Sequence, residues 1–204
     1  KKNLLFLPIK QYQMAKIHLS YFQQEDVVSL AKDLIGKQIS TFIDGQLTKG
    51  LICETEAYAG VTDRASHAYG NRRTNRTETM FMEGGVAYVY LCYGIHSLFN
   101  IVTNKKDIPH AILIRGIIPT EGFEMMSSRC GKTIKPGKPI SGPGKITRAL
   151  GINLKHNAEN LTGKQIWLEE GRFVKSEDIL SLPRIGVDYA GDDALLPYRF
   201  LWKG

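Results

Sequence analysis

The chain has 204 residues, of which 43% are hydrophobic, so it can bury the core of one domain and is too short for two unless both are small. Lys and Arg number 27 against 20 Asp and Glu, and the formal net charge of +7 favours a polyanionic partner. No stretch approaches the roughly 18 apolar residues of a membrane span, and the three cysteines lack the CxxC spacing of a zinc site.

The N-terminal part of the chain predicts one helix. The first residues mix Lys, Gln and apolar side chains without a clean period, so we treat residues 1–20 as an extension of a single domain that covers residues 21–204. After Asp26, apolar residues recur at the spacing of an amphipathic helix. Asp26 is placed to cap this helix and Gly36 to end it.

A hairpin is predicted next, and its second strand carries two carboxylates. The run Lys37 to Ile43 alternates toward the turn Asp44-Gly45, and Gly50 to Tyr58 follows as a second β-rich run. Glu54 and Glu56 lie two residues apart, so on a strand both side chains share the face of Tyr58. This acidic and aromatic face is a candidate for chemistry.

The polar segment from Gly60 to Glu78 is rich in arginine. It contains His67 and, shortly after it, Arg72, Arg73 and Arg76. A loop of this composition can contact phosphates. A solvated charged loop would have the same composition, so the segment alone leaves the two interpretations open.

A second hairpin is predicted between Val86 and Thr103. The run Val86 to Tyr93 has a strong β pattern, and alternation places Tyr90 and Tyr93 on opposite faces. Gly94 permits a tight turn, so we expect Tyr93 near the tip and the run Ser97 to Thr103 as the returning strand.

The apolar run from Ala111 to Ile118 predicts a central strand that carries one charge, Arg115, which needs a partner. Residues Glu121 to Cys130 predict a short helix, and Lys132 to Lys138 form a basic loop. Another helix is expected to begin near Pro143, with its N-terminus available to a phosphate.

The absence of several known catalytic motifs leaves carboxylate chemistry beside aromatic rings as the type of site to consider. The chain has no HExxH, no GxSxG and no zinc deaminase signature. A carboxylate near Tyr58, His67 and Tyr90 could activate water while the rings hold a flat, electron-poor ligand. A core cluster of tyrosines with satisfied hydroxyl groups would give the same pattern, so the residues alone leave both interpretations open.

A set of short motifs, in order along the chain, carries a resemblance to a known family. They are ETEAY from Glu54, His67, MFM from Met80, YVYLCYG from Tyr88, Asn100, ILIRG from Ile112, SGPGK from Ser141 and RIGVDYAG from Arg184. By this ordered set the chain resembles the alkyladenine family of 3-methyladenine DNA glycosylases, from about Tyr21 to Phe200.

The resemblance implies a mixed α/β fold: a single compact domain with a curved antiparallel sheet, flanking helices and a protruding DNA-intercalating β-hairpin. It implies a monofunctional DNA glycosylase that flips alkylated purines out of duplex DNA, with deaminated and etheno purines as further candidate substrates. The N-glycosidic bond would be hydrolysed by glutamate-activated water, which starts base excision repair. The implied enzyme is a monomer whose partner is double-stranded DNA with a damaged purine, and it needs neither cofactor nor metal.

The resemblance also implies roles for individual residues. Glu56 would activate the water, and Arg115 would hold that water and a backbone phosphate. The remaining positions form two sets, a base pocket of Tyr58, His67, Tyr90, Asn100 and Leu113, and DNA contacts by Tyr93, Arg72, Arg76, Ile95 and Lys145. Tyr93 would be the wedge that fills the gap left by the flipped nucleotide.

The chain departs from the family pattern at His96, at Leu98-Phe99 and in the polar Asn75-Arg76-Thr77 segment, which affects the expected contacts with flanking DNA. A non-catalytic nucleic-acid-binding module is the alternative, since the charge, the arginine loop and exposed tyrosines would serve binding without turnover. Without a recognisable export signal, we expect the protein in the cytoplasm, associated with the nucleoid if the source is bacterial.

Overall fold

The structure is a computed structural model that describes residues 15–204, so residues 1–14 of the expected extension lie outside the described residues. Within residues 15–204 the helices and strands are α1 Leu19–Phe22, α2 Val27–Asp33, β1 Gln38–Ile43, β2 Gln46–Tyr58, β3 Ala87–Cys92, β4 His96–Thr103, β5 His110–Glu121, α3 Phe123–Cys130, β6 Ile140–Ser141, α4 Pro143–Leu150, β7 Ile166–Glu169, β8 Ile179–Leu182 and β9 Arg199–Trp202.

The strands form one antiparallel sheet in the order β3-β4-β5-β2-β1-β7, with β6 beside β5 and β8 joined to β2 through β9. The long strands β2 and β5 form its centre, and their pairing shifts register near Lys49 and on both sides of Glu54. Such bulges bend and twist a sheet, which here curls into a half-barrel. The expected fold class, a mixed α/β domain with a curved antiparallel sheet, is confirmed.

The sequence did not predict the short helix α1, but the helix predicted after Asp26 and the first hairpin follow the sequence closely. Asp26 caps α2 by accepting hydrogen bonds from the backbone N–H groups of Val28 and Ser29, as predicted. The helix ends at Asp33, three residues before Gly36, which turns the chain with φ of 91°. The expected turn at Asp44-Gly45 is present, and both residues have the positive φ that a two-residue hairpin requires.

The central strand and helix α4 also match the prediction, whereas α3 begins at Phe123 because Glu121 still belongs to β5. Strand β5 is central, between β4 and β2, as expected for the run around Arg115. Helix α4 begins at Pro143, whose fixed φ suits the first helical position. In α4 the side chains of Ile146, Ala149 and Leu150 are buried, whereas Lys145 and Arg148 are exposed. This helix therefore packs on the sheet by one face and presents cations on the other.

The main core lies between the helices and the sheet, and fully buried members include Leu34, Ile52, Ile112 and Ile117. Burying such side chains supplies the dominant stabilisation, and truncating one to Ala costs about 2–5 kcal/mol. A second, smaller cluster lies under the arginine-rich segment and fastens it to β3, β4 and β5; its buried members are Ala68, Met80, Phe81, Tyr88, Val102 and Ala111. No helix within residues 15–204 is long and apolar enough to cross a bilayer.

Candidate active site

A cavity of about 450 Å³ opens where the ends of the central strands meet the loops. Its wall combines aromatic rings, apolar side chains and a few polar groups. The lining residues are Tyr58, Ala65, His67, Arg76, Met80, Tyr88, Tyr90, Leu91, Cys92, Tyr93, Leu98, Asn100, Ala111, Leu113, Arg115, Pro143, Ile185, Gly186, Val187 and Tyr189. The volume and the chemistry of the wall suit a flat small molecule or one nucleobase.

A row of cross-strand neighbours forms the floor of the cavity and continues to Glu56 behind it. Tyr88 on β3 pairs with Asn100 on β4, Asn100 pairs with Leu113 on β5, and Leu113 pairs with Glu56 on β2. Directly paired residues project from the same face of a sheet, so the four side chains are held on one face by the strand register. Three of these residues were predicted for the site, and the register brings them together.

Glu56 has no exposed surface, and its carboxylate is held by three neighbours that line the cavity. Oε2 accepts a 2.8 Å hydrogen bond from the Tyr58 hydroxyl, and Oε1 accepts a 2.8 Å hydrogen bond from the backbone N–H of Ile185. Arg115 approaches both oxygens, with Nη1 at 3.5 Å from Oε2 and Nε at 3.4 Å from Oε1. The carboxylate therefore lies directly behind the cavity wall.

Arg115 occupies an unusual place in its strand. Glu54 pairs with Gly116 and Thr55 with Ile114, so Arg115 is the extra residue of a bulge in β5. Bulges re-aim side chains, and this one brings the guanidinium between two carboxylates, with Nε 3.4 Å from Oε1 of Glu54 and of Glu56. The partner that the sequence required for Arg115 is thus a pair of glutamates.

Arg115 makes long contacts with both glutamates, whereas Glu54 makes a shorter contact with Arg199. Within residues 15–204, Nε of Arg115 has no hydrogen bond of good geometry. Glu54 accepts a 3.0 Å hydrogen bond from Nη1 of Arg199, whose Nε donates to the backbone carbonyl of Pro183. Glu54 is therefore anchored to β9, and Arg115 is the more loosely held group.

The pKa of Glu56 is raised from its ordinary value. Burial is the largest cause, because a charged carboxylate loses its hydration, and the charge of Glu54 acts in the same direction. Arg115, the N–H of Ile185 and the Tyr58 hydroxyl all stabilise the charged form and oppose the shift. A buried carboxylate with a raised pKa beside a cavity is a typical proton acceptor.

Three aromatic side chains form one wall. The rings of His67 and Tyr90 meet edge to face with centroids 4.7 Å apart, and Tyr88 lies 5.3 Å from Tyr90. Nδ1 of His67 is 2.9 Å from the hydroxyl oxygen of Tyr88. Burial, then the charges of Arg76 and Arg72, lowers the pKa of His67 to about 4, so its imidazole is neutral near pH 7. Tyr88 is buried in a core cluster and its hydroxyl has a partner in His67, as the interpretation as a tyrosine core requires, but Tyr58 and Tyr90 also line the cavity.

Asn100 and Leu113 are buried and line the cavity, as expected for pocket residues. The Nδ2 group of Asn100 donates a 3.1 Å hydrogen bond to the backbone carbonyl of Tyr88. This bond fixes the orientation of the amide, since Asn100 and Tyr88 are also cross-strand neighbours. The amide therefore presents a polar group at a set position of the cavity floor.

The tip of the β3–β4 hairpin lies at the mouth of the cavity. Tyr93 is 92% exposed and Ile95 is 74% exposed, which is unusual for large apolar side chains. Strand β3 ends at Cys92, and Tyr93 belongs to the turn with φ of 50°. Its direction is therefore set by the turn and not by strand alternation, which corrects the sequence argument that placed it opposite Tyr90.

The arginine-rich segment divides into different environments. Arg73 forms ion pairs with Glu78 and Asp107, so it is neutralised within the protein. Arg72 is exposed, and the guanidinium of Arg76 lies over the ring of Tyr90, 4.9 Å from its centroid. Neither Arg72 nor Arg76 forms an ion pair within residues 15–204. Lys145 lies outside this cavity, exposed on the first turn of α4.

Sequence reasoning missed the segment after Arg184, which lines part of the cavity through Ile185, Gly186, Val187 and Tyr189. Arg184 forms a buried ion pair with Asp63 and donates to the backbone carbonyls of Ala57 and Asp193. Its guanidinium also lies 4.9 Å from the Tyr58 ring centroid. These contacts hold the following residue, Ile185, where its N–H reaches Glu56. The RIGVDYAG motif was the available signal, but it had no assigned role.

Comparisons with known proteins agree with this geometry. A family model described as methylpurine-DNA glycosylase matches residues 21–204 of the chain. A protein of Chlamydia abortus is 47% identical over 183 residues, which make up 89% of this chain and 95% of that protein. Relatives from Clostridium perfringens and Bacillus licheniformis are 41% and 42% identical, and the matches cover 93% and 91% of their own lengths. All three are provisionally named 3-methyladenine DNA glycosylases.

Proposed function

The chain belongs to the methylpurine-DNA glycosylase family, and from this premise we propose that it flips alkylated purines out of duplex DNA into the cavity and hydrolyses their N-glycosidic bond with water activated by Glu56. The enzyme is a hydrolase that acts on N-glycosidic bonds in DNA. The observation that carries the proposed mechanism is the buried carboxylate of Glu56 directly behind an aromatic cavity.

The aromatic wall suits a base that carries positive charge. A purine alkylated at N3 or N7 is cationic, and a ring quadrupole attracts a cation by about 1–2 kcal/mol in a desolvated site. Arg76 already occupies such a position over Tyr90. A cationic base and Arg76 would repel each other there, so we expect Arg76 to leave the ring for a DNA phosphate when the base enters.

The neutral state of His67 supports the same preference. Because its pKa is about 4, His67 adds no positive charge to the wall near pH 7. A protonated imidazole would repel a cationic base, whereas a neutral one can donate or accept a hydrogen bond. His67 therefore contributes shape and polarity without opposing the substrate charge.

In the proposed reaction a water oxygen attacks C1′ of the deoxyribose while Glu56 takes a proton from that water. The C1′–N bond breaks, and its electron pair leaves with the base, which becomes neutral if it was cationic. The sugar passes through an oxocarbenium-like state that a nearby carboxylate stabilises. No lysine stands in a nucleophile position of the motifs, so the product is an abasic site in an intact strand.

Water must reach a carboxylate that has no exposed surface. Of the three groups that cover Glu56, Arg115 makes the longest contacts, at 3.4 and 3.5 Å. A phosphate of the flipped nucleotide would attract its guanidinium and open a path beside Oε1. Arg115 would thereby link correct placement of the DNA to activation of the water.

The direct test is base release from a duplex oligonucleotide with one 7-methylguanine, scored as strand cleavage by an added abasic-site endonuclease and compared with the same duplex without the protein. We expect an abasic site with the wild-type protein and none with the undamaged duplex. Glu56→Gln should still bind abasic-site DNA while losing base release by at least about a hundredfold, as for loss of a general base. The mechanism would be overturned if Glu56→Gln released the base normally and Glu54→Gln did not.

Two further arms of this experiment test the finer claims. Duplexes with hypoxanthine or 1,N6-ethenoadenine measure whether deaminated and etheno purines are substrates. Borohydride added during turnover should trap no covalent protein–DNA adduct, because water is the nucleophile. A trapped adduct would contradict the monofunctional mechanism. The alternative of a non-catalytic binding module is disfavoured by membership in a family of glycosylases and by a buried acid in a site for a polyanion.

A further inference from the structure

A basic surface that the mechanism does not use lies next to the β3–β4 hairpin. Two adjoining cavities, of about 520 and 370 Å³, share Lys132, Ile140 and Lys145 in their walls. No carboxylate lines either cavity. We call the five cationic side chains of these walls the α4 basic surface: Lys132, Lys135, Lys138, Lys145 and Arg148.

These five side chains are exposed, and none forms an ion pair within residues 15–204. Some exposed cations elsewhere do have acidic partners, as in Lys155 with Asp44 and Arg73 with Glu78. Unpaired like charges on one surface repel each other, so their clustering is unfavourable unless an anion approaches. Five unpaired cations on one surface fit a polyanion with regularly spaced charges better than a single small anion.

The surface is held at a fixed position relative to the hairpin tip. Thr147 donates a 2.6 Å hydrogen bond to the backbone carbonyl of Ser97 on β4. Gly144 approaches β4 so closely that a Cβ there would lie 3.0 Å from Cβ of His96. The larger cavity is also lined by Tyr93 at the tip. The cations and the tip therefore belong to one continuous surface.

Cations from neighbouring segments lie beside both strands of the hairpin. Arg76 contacts Tyr90 on β3, whereas α4 with its basic surface is fastened to β4. A duplex that receives the tip at a lesion extends away from it in two directions. One arm would approach Arg72 and Arg76, and the other would approach α4.

We propose that the α4 basic surface binds the phosphate backbone of the duplex arm on the β4 side of the lesion, so that Lys132, Lys135, Lys138 and Arg148 extend the DNA contact that the resemblance implies for Lys145 alone. The inference rests on the proposed function for its geometry, since it assumes that the tip meets the lesion. Lysines suit this task because they neutralise successive phosphates without reading sequence.

The first experiment measures binding to an undamaged 25-base-pair duplex across a salt series by fluorescence anisotropy. The triple variant Lys132→Ala, Lys135→Ala, Lys138→Ala should lower the slope of log Kd against log salt by about 2.7, at roughly 0.9 for each of three lost phosphate contacts. The matched control removes three exposed lysines elsewhere, with Lys155→Ala, Lys175→Ala and Lys203→Ala. It changes the net charge equally, so an equal effect in both triples would overturn the proposal.

The second experiment locates the contact. A stable abasic-site analogue is placed four base pairs from one end or from the other end of the duplex. The wild-type protein should bind one of these duplexes more weakly, because one arm no longer reaches the α4 basic surface. In the lysine triple variant, the difference in affinity between the two duplexes should lose the part that this arm contributes. Equal weakening of both duplexes by the variant would contradict a contact confined to one arm.

Base release under single-turnover conditions, at protein concentrations that saturate the DNA, separates this inference from the proposed function. The triple variant should release 7-methylguanine at the wild-type rate once bound, because its substitutions touch neither Glu56 nor the aromatic wall. Normal base release together with an unchanged salt slope would refute the inference about the α4 basic surface, and the proposed function would stand. If the triple variant lowers the salt slope but the wild-type protein releases no base, the proposed DNA contact stands and the glycosylase mechanism is refuted.

Discussion

The hydroxyl group of Tyr58 donates a 2.8 Å hydrogen bond to Oε2 of Glu56, two residues earlier on the same strand. Tyr58 lines the cavity, whereas Glu56 lies behind it with no exposed surface. One side chain therefore both lines the cavity and supports the carboxylate. Changes at Tyr58 should consequently be visible in the protonation of Glu56.

The variant Tyr58→Phe keeps the ring and removes the hydrogen bond to Glu56. Burial already raises the pKa of Glu56, and the Tyr58 hydroxyl opposes that shift by stabilising the charged form. Without it the pKa rises further, so the acidic limb of the pH–rate profile should move to higher pH. Tyr90→Phe is the matched control, because its ring lines the same cavity and does not contact Glu56. A limb that moves equally in both variants would contradict this role.

Glu54→Gln should move the acidic limb of the pH–rate profile to lower pH. The negative charge of Glu54 raises the pKa of Glu56, although burial is the larger cause. Removing that charge leaves Arg115 with a single carboxylate partner, so Glu56 ionises at lower pH. Base release at pH 7 should stay within about tenfold of wild type, since Glu54 takes no proton in the proposed reaction. A limb at higher pH would show that the coupling between the two carboxylates has been assigned the wrong sign.

Tyr93→Ala should weaken base flipping without changing the stability of the fold. Tyr93 is 92% exposed, so its removal should alter the free energy of unfolding by less than about 0.5 kcal/mol. The lost ring no longer fills the gap in the duplex, and the fluorescence of a flipped base analogue should fall. Phe173→Ala is a suitable comparison, because Phe173 is also an exposed aromatic residue, 88% exposed, and lies outside the cavity. An unaltered signal with Tyr93→Ala would exclude the wedge role.

Asp63→Asn should destabilise the protein strongly. Asp63 is the buried anionic partner of Arg184, and its loss leaves an uncompensated guanidinium, at a cost of about 3–5 kcal/mol. Glu78→Gln breaks the exposed pair with Arg73 and should cost at most about 1 kcal/mol. Urea unfolding of both variants makes the comparison. Similar losses would mean that the Arg184 ion pair contributes little more than a surface contact.

Much of the local structure could be predicted because it depends on neighbours in the chain. Alternation put Glu54, Glu56 and Tyr58 on one face, and the contacts of Arg115 with both glutamates agree with it. The Asp44-Gly45 turn and the Pro143 helix start follow from the backbone preferences of those residues. The order of the motifs was enough to identify the family.

The tertiary structure decided which of these residues act together. Arg73 looked equivalent to Arg72 and Arg76 in sequence, but Asp107, far along the chain, neutralises it. The N–H group of Ile185 reaches Glu56 across 129 positions, and Arg184 reaches Asp63 across 121. Side-chain alternation is a local property of a strand. The bulge at Arg115 and the cross-strand row from Tyr88 to Glu56 depend instead on how distant strands are ordered and bent, because only the assembled sheet sets those distances.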